Sequence, residues 1–154
     1  MSDLPEPIAT PPRPWTELDP SLGHNPNCIV CGESNPASMA FRNLERSADE
    51  LRALVTFTAA HEGDHRRVHG GIIATAMDEA FGRLAFTVFR AACLTARLEV
   101  DYEGSAVAPG DYELRVAVDR REGRKLWLQG QLGVDPRLAR ARALFIEISS
   151  PGRT

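Results

Sequence analysis

The sequence predicts an α+β fold in which a curved antiparallel sheet wraps around one long helix. Residues 70–86 carry apolar side chains at helical spacing and few charges, which is typical of a buried helix. Apolar and polar residues alternate in two runs before this segment and in four runs after it, as in strands with one buried face. Tight turns join the later runs, so we expect antiparallel strands. A helix that is apolar nearly all round must then be covered by their sheet.

The predicted elements follow one another closely. Strands are expected at 39–44 and 51–57, a polar loop at 60–67, the helix at 70–86, and strands at 97–102, 112–119, 126–132 and 141–149. Ala108-Pro109-Gly110-Asp111 and Glu122-Gly123 are turn sequences, and Val134-Asp135-Pro136 breaks the chain before the last strand. These elements form one domain over 28–150, after a proline-rich extended arm over 1–27.

Composition narrows the functional class. A chain of 154 residues suits one domain, and a formal net charge of -3 disfavours nucleic acid as a partner. No apolar run approaches the ~18 residues of a membrane span. The N-terminus lacks a basic segment followed by an apolar one, so we expect no secretion signal. Three cysteines are too few for a disulfide framework. We therefore expect a cytoplasmic protein that acts on a small molecule.

One stripe of the predicted helix contains small residues and an aspartate. Spacings of three and four place its members on one face: Gly71, Ala74, Thr75, Asp78 and Gly82. Small side chains allow a ligand or another backbone to approach closely. A carboxylate on a mostly buried helix is costly unless it is used, which makes Asp78 the first candidate for chemistry. The simpler interpretation is that Asp78 is solvated or pairs with Arg83.

The start of the helix offers a second chemical feature. His69-Gly70-Gly71 begins it, and a helix N-terminus presents free backbone N–H groups and a partial positive charge. Such groups can polarise a carbonyl and hold a developing oxyanion. Asp78 lies roughly 12 Å further along the helix axis than His69. Asp78 would therefore act across a dimer interface, on a carbonyl held by the neighbouring helix.

Two runs carry a family resemblance. The segment from His69 to Ala80 resembles the central helix of hotdog-fold acyl-CoA thioesterases, nearest to the 4-hydroxybenzoyl-CoA and phenylacetate-degradation type. The segment from Leu94 to Tyr102 is similar to the strand that follows that helix in the family. Cys28-Ile29-Val30-Cys31-Gly32 with Asn35-Pro36 resembles the start of one branch. The resemblance covers about residues 24–149 and implies a hotdog fold, acyl-CoA hydrolysis, and homodimers or homotetramers with composite sites.

The resemblance also implies roles for individual residues. Asp78 matches the general base or nucleophile, Gly70 the glycine whose N–H polarises the thioester carbonyl, and His69 a residue bordering the site. Thr95 matches a hydroxyl near the attacking water. Coenzyme A enters only as part of the substrate, and no cofactor is expected. We expect further substrate contacts from Gly71, Thr75, Gly63 and His65, and phosphate contacts from Arg120 and Arg124, although a solvated hairpin turn also explains the two arginines.

The sequence leaves other interpretations open. Many relatives place an Asn, a Gln or a Pro-Gly pair before His-Gly-Gly, whereas residues 62–68 read Glu-Gly-Asp-His-Arg-Arg-Val here. A non-catalytic acyl-binding protein is therefore an alternative. A hydratase is another, because Asp64 and His69 have the spacing of such enzymes, although Arg66-Arg67 replaces their Asn-Pro.

A metal site is the last possibility that the sequence raises. Cys28 and Cys31, with His24 nearby, have the spacing of half a zinc site. No fourth ligand is evident, so we expect two buried thiols and no metal. Glu79 points about 100° away from Asp78 around the helix and is expected at the surface or in a dimer contact.

Overall fold

The structure is a computed structural model that describes residues 25–148. Residues 1–24 of the predicted proline-rich arm, and with them His24, lie outside the described residues. The first elements are strand β1 (Arg42–Arg46), strand β2 (Glu50–Phe57) and a short 3₁₀ helix (Ala59–His61). Two short strands, β3 (Glu62–Asp64) and β4 (Arg67–Val68), precede the long helix α1 (Gly70–Phe89). Strands β5 to β8 follow, at Cys93–Tyr102, Gly110–Glu122, Lys125–Leu132 and Ala139–Glu147.

A six-stranded antiparallel sheet forms the body, in the order β1-β2-β6-β7-β8-β5. Helix α1 packs against β2, β5, β6, β7 and β8, which confirms the predicted α+β architecture of one helix held by a curved sheet. The helix places eight apolar side chains in the core: Ile73, Ala76, Met77, Ala80, Phe81, Leu84, Ala85 and Phe89. Burial of this face supplies most of the free energy that keeps the helix on the sheet.

Irregularities in the ladders allow the sheet to curve. Register shifts interrupt β5 between Thr95 and Arg97 and β6 between Val118 and Arg120. Gly130 in β7 lies against the Phe81 ring of the helix. A Cβ there would lie 2.7 Å from Cγ1 of Val116 and 3.0 Å from Cε1 of Phe81. Glycine at this position therefore lets the Phe81 ring reach the backbone of the sheet.

The element boundaries differ from the predictions in several places; among the strands after the helix, β5 begins at Cys93 rather than at residue 97. The first strand starts at Arg42 rather than at residue 39, because Ala40 adopts a positive φ of 48° that interrupts extended backbone. Helix α1 continues three residues beyond the predicted end and stops where Arg90 takes the left-handed conformation. The stretch predicted as a polar loop contains the 3₁₀ helix and the β3–β4 pair. No helix in the described part of the chain is long and apolar enough to cross a membrane.

Candidate active site at the start of α1 and along its open face

His69 caps the N-terminus of α1. Its backbone is extended, with φ -61° and ψ 135°, and its Nδ1 accepts a hydrogen bond of 2.9 Å from the Gly71 N–H. The His69 N–H donates to the carbonyl oxygen of His61, and the His69 carbonyl accepts from Ile72. The histidine therefore stabilises the helix start as its N-cap. The Gly71 N–H is occupied by this cap.

The Gly70 N–H is the donor that this capping arrangement leaves open. None of the described residues supplies an acceptor for it. The Gly70 carbonyl is fixed from the other side, because the Tyr102 hydroxyl donates a 2.7 Å hydrogen bond to it. A Cβ at Gly70 would lie 3.4 Å from the Tyr102 ring, which is ordinary contact. An unpaired N–H on an ordered helix start is the geometry that an oxyanion requires.

His61 holds the segment before the helix in place, although its position in the polar run 60–67 gave no sign of this role. Its side chain is buried, its Nδ1 accepts from the Thr58 N–H at 2.9 Å, and its Nε2 donates to the Ala37 carbonyl at 2.7 Å. Both ring nitrogens thus have partners, as buried polar groups require. A buried His61 ties the segment before β1, the 3₁₀ helix and the start of α1 into one unit.

Asp78 contacts the edge strand of the sheet. The Thr95 hydroxyl on β5 donates a 2.7 Å hydrogen bond to Oδ1 of Asp78. The carboxyl is half-buried, and burial, followed by the negative charge of Glu79, raises its pKa, while the Thr95 hydrogen bond acts in the opposite direction. Arg83, the partner considered for Asp78, instead forms an ion pair with Glu79. A carboxylate with a raised pKa and no cationic partner among the described residues is suited to accept a proton.

The small-residue stripe is the face of α1 that the sheet leaves open. None of its members is fully buried, so the expectation of a helix covered nearly all round holds only for the opposite face. The stripe lies beside β5, which is an edge strand with one side unpaired. Leu94 and Tyr102 on this strand are large apolar side chains that are more than half exposed, at 63% and 52%. Thr95 and Tyr102 on β5 contact the open stripe and the helix start, whereas Leu94, which alternates with Thr95, lies on the other face of the sheet.

The other residues predicted near the helix are divided between structural and exposed positions. Gly63 packs under His69, where a Cβ would lie 3.1 Å from the His69 Cα. Thr75 donates its hydroxyl to the Gly71 carbonyl at 2.8 Å. His65 is exposed in the turn between β3 and β4. Its N–H donates to Oδ1 of Asp64, and no hydrogen bond or ion pair joins Asp64 to His69 within residues 25–148.

The two arginines predicted to bind phosphates lie at the far end of the β6–β7 hairpin. Arg124 donates Nε and Nη2 to the Glu147 carbonyl, and Arg120 stacks 3.8 Å above the Trp127 ring. Arg120 belongs to a row that crosses the outer face of the sheet through Trp127 and Leu144 to Arg97. This row lines a groove of about 560 Å³. Thr95 contacts α1 on the inner face, so the structure does not bring Arg120 together with Asp78 within one chain.

Glu79 corrects an expectation. It was predicted to lie at the surface or in a dimer contact, but it is partly buried between two side chains of different chemistry. Its Oε1 accepts from Nε of Arg83 at 2.9 Å, and its Oε2 lies 3.9 Å from Sγ of Cys28. The one-residue offset from Asp78 turns Glu79 toward the segment before β1, away from β5.

Comparisons with known proteins agree with this fold. Residues 65–130 match the thioesterase superfamily. A crystal structure of a thioesterase superfamily protein superposes with a TM-score of 0.69 at 24% identity, covering 80% of this chain and 63% of that one. The PaaI protein from the phenylacetic acid degradation operon of E. coli gives a TM-score of 0.66 at 15% identity, over 73% of this chain and 82% of that one.

Two further proteins are similar to this chain. A hypothetical thioesterase of Streptococcus pneumoniae, solved with coenzyme A, has a TM-score of 0.66 at 8% identity, covering 73% of this chain and 88% of that one. An uncharacterized protein of the fission yeast Schizosaccharomyces pombe is 36% identical over 53% of this chain. The alignment spans about half, 51%, of that yeast protein.

A single helix held in a curved six-stranded antiparallel sheet, with an aspartate on its open face, defines a hotdog-fold protein. The sequence match of residues 65–130 to the thioesterase superfamily agrees with the hotdog fold that these structural neighbours share. The resemblance noted from the segments 69–80 and 94–102 is thereby confirmed at the level of the superfamily.

Proposed function

We propose that this protein hydrolyses an acyl-CoA, or a related acyl thioester, to the free acid and the thiol. The observation that carries the proposal is the Asp78 carboxylate. It is half-buried on the open helical stripe, has a raised pKa, and is oriented through one oxygen by Thr95. The match of residues 65–130 to the thioesterase superfamily supports the reaction class, and the unpaired Gly70 N–H supplies the complementary donor.

The proposed chemistry assigns one task to each group. The thioester carbonyl oxygen accepts from the Gly70 N–H, which makes the carbonyl carbon more electrophilic. Asp78 removes a proton from water as the water oxygen adds to that carbon. The tetrahedral oxyanion then re-forms the carbonyl, the C–S bond breaks, and the departing thiolate takes the proton from Asp78. In the alternative route the Asp78 carboxylate adds to the carbonyl carbon, and loss of the thiolate from this tetrahedral adduct leaves a mixed anhydride. Water then hydrolyses the anhydride to the free acid and Asp78, and the thiolate takes the proton that this hydrolysis releases.

The distance along α1 supports a site that is built from two chains. Asp78 follows Gly70 by eight positions, which corresponds to roughly 12 Å along the axis at 1.5 Å per residue. An oxyanion donor must lie about 3 Å from the carbonyl oxygen, and the base must lie near the adjacent carbon. One chain therefore cannot place both groups on one thioester. In the proposed dimer, a second copy covers the open stripe and the edge of β5, and the Gly70 of one subunit serves the Asp78 of the other.

Recognition of the coenzyme A phosphates is assigned first to Arg120. Arg124 uses two of its donor nitrogens on the Glu147 carbonyl. Arg120 is exposed beside Trp127, and its 2.9 Å ion pair is with the exposed side chain of Glu122, which a phosphate can replace. For Arg120→Gln we expect KM for an acyl-CoA to rise about 5-fold to 10-fold, as for the loss of one charge-assisted hydrogen bond. KM for the corresponding acyl-pantetheine thioester, which lacks the nucleotide phosphates, should not change. An equal rise for both thioesters would exclude a phosphate contact at Arg120.

Thiol release over a panel of aliphatic and aromatic acyl-CoAs tests the central proposal. Wild-type protein should release thiol from at least one class, and Asp78→Asn should lower kcat by about 10²-fold to 10⁴-fold, as for loss of a general base. Asp64→Asn is the matched control, because its side chain lies on an exposed turn and bonds only to the neighbouring His65 N–H among the described residues. Circular dichroism verifies that both variants fold.

Three outcomes would contradict the proposal. Thiol release by Asp78→Asn equal to that of wild type would exclude Asp78 from the reaction. Saturable acyl-CoA binding with no release from any substrate would favour the non-catalytic binding protein. Loss of enoyl absorbance from crotonyl-CoA that depends on Asp64 and His69, and not on Asp78, would favour a hydratase.

A further inference from the structure

The segment before β1 folds back on α1 through a tight turn that contains both cysteines of the Cys28-Ile29-Val30-Cys31-Gly32 sequence. The Gly32 N–H donates to the Cys28 carbonyl at 2.9 Å, and the Cys28 N–H donates to Asn25. A Cβ at Gly32 would lie 2.4 Å from the Cys28 nitrogen and 2.5 Å from its oxygen, so this turn accepts only glycine. The turn thus keeps the two sulfur atoms on the same side of the segment.

Glu79 completes a group of three potential ligands. The two Sγ atoms and a carboxylate oxygen of Glu79 all lie within 4.8 Å of one another, and each of the three residues is partly buried. Ligands of a tetrahedral zinc ion lie roughly 3.5–3.8 Å apart, as follows from Zn–S distances of about 2.3 Å and Zn–O distances of about 2.0–2.2 Å. The 3.9 Å from Cys28 Sγ to Glu79 Oε2 is already close to this spacing. Small side-chain movements therefore suffice to enclose an ion.

The surroundings of the group orient its members in the manner of the outer shell of a metal site. The Val30 N–H donates to Sγ of Cys28 at 3.3 Å, a contact that stabilises a thiolate. Arg83 holds Oε1 of Glu79 at 2.9 Å, which leaves Oε2 directed toward the cysteines. Two thiolates and a carboxylate balance the charge of a divalent ion together with the Arg83 guanidinium. Without an ion, burial and then the negative charge of Glu79 raise the pKa of the Cys31 thiol to about 11.

We propose that Cys28, Cys31 and Glu79 form a zinc site that fastens the segment before β1 to helix α1. Two thiolate sulfurs with one carboxylate oxygen favour zinc over calcium or magnesium, which take oxygen ligands. Solvent fills the fourth position. The site lies next to Asp78 in sequence but on another face of the helix, so it is separate from the proposed thioester site and does not depend on it.

Metal binding to the full-length protein tests the site directly. After removal of metal with a chelator, the protein is titrated with Co²⁺, and the thiolate-to-cobalt absorption is followed and then reversed with Zn²⁺. We expect one ion per chain in wild type and in the matched control Cys93→Ser, whose thiol lies outside the group. Cys28→Ser and Cys31→Ser should lose the absorption, and Glu79→Gln should bind at least about 10-fold more weakly.

Two further measurements exclude trivial explanations. Circular dichroism of the metal-free variants shows whether they are folded, and Zn²⁺ should raise Tm of wild type and Cys93→Ser but not of Cys28→Ser. In wild type, Zn²⁺ should protect Cys28 and Cys31 from alkylation and leave the reactivity of Cys93 unchanged. The proposal is overturned if wild type gives no thiolate-to-cobalt absorption and no protection, if Cys93→Ser loses binding as Cys28→Ser does, or if Glu79→Gln binds as tightly as wild type.

Discussion

The Thr95 hydroxyl donates a 2.7 Å hydrogen bond to Oδ1 of Asp78 and so joins the edge strand of the sheet to the open face of the helix. This contact orients the carboxylate while its other oxygen has no partner among the described residues. It also opposes burial, which raises the pKa of Asp78. Thr95 therefore influences both the position of the proposed base and the pH at which that base becomes active.

The first prediction concerns the acid limb of the pH–rate profile. Catalysis requires the Asp78 carboxylate, so kcat/KM should fall as pH decreases through a pKa above the usual range of an aspartate. Thr95→Val removes the hydrogen bond that stabilises the charged form, and the acid limb should move to higher pH. Thr95→Ser keeps the donor and should retain the wild-type profile. All three profiles are measured in the presence of a chelator, so that a metal ion at Glu79 does not affect the neighbouring Asp78. If the three profiles coincide, this role of Thr95 is refuted.

A second prediction concerns stability. Because the pKa of Asp78 is raised in the folded state, the folded protein binds this proton more tightly than the unfolded chain does. The free energy of unfolding therefore decreases as pH rises from the usual aspartate pKa through the raised one. Asp78→Asn lacks this penalty and should be slightly more stable than wild type at neutral pH, by less than about 1 kcal/mol for a half-buried group. The difference should vanish in acid. Chemical unfolding at both pH values measures it, and a variant less stable than wild type at neutral pH would contradict it.

Local patterns predicted the parts of the fold that local interactions determine. The period of apolar residues over 70–86 gave the helix, and alternation gave the strands on either side of it. Ala40 and Arg90, which adopt positive φ, moved the boundaries because neither is a glycine whose conformation the sequence would reveal.

The candidate site was only partly predictable for a related reason. Asp78, Thr95, Gly70 and His69 were identified from spacing and resemblance, and the structure brings Asp78 and Thr95 together. The Tyr102 bond to Gly70 joins residues 32 positions apart, and the Cys28 contact with Glu79 joins residues 51 apart. Such partners depend on how the sheet and the N-terminal segment fold over the helix. A single sequence carries no local signal for them.

A third prediction isolates the Gly70 N–H. Proline is tolerated at the first position of a helix, and the preceding His69, with ψ 135°, already has the extended backbone that proline demands. Gly70→Pro should therefore preserve the helix while it removes the proposed oxyanion donor. We expect kcat to fall about 10²-fold to 10³-fold. Gly70→Ala retains the N–H and adds only an ordinary contact with the Tyr102 ring, so it should keep most of the activity. Equal activity of the two variants, with equal Tm, would exclude the donor role.

The fourth prediction tests whether one site uses two chains. If Gly70 of one subunit serves Asp78 of the other, a dimer with one Asp78→Asn chain and one Gly70→Pro chain has one site with both groups intact and one site with neither. Random exchange between the two inactive variants makes half of the dimers mixed, so activity should recover to about one quarter of the wild-type value. Each variant alone must be dimeric by light scattering, and exchange is monitored with a tagged subunit. Confirmed mixing without recovered thiol release would show that the two groups do not meet across an interface, because within one chain no pairing of these variants restores a complete site.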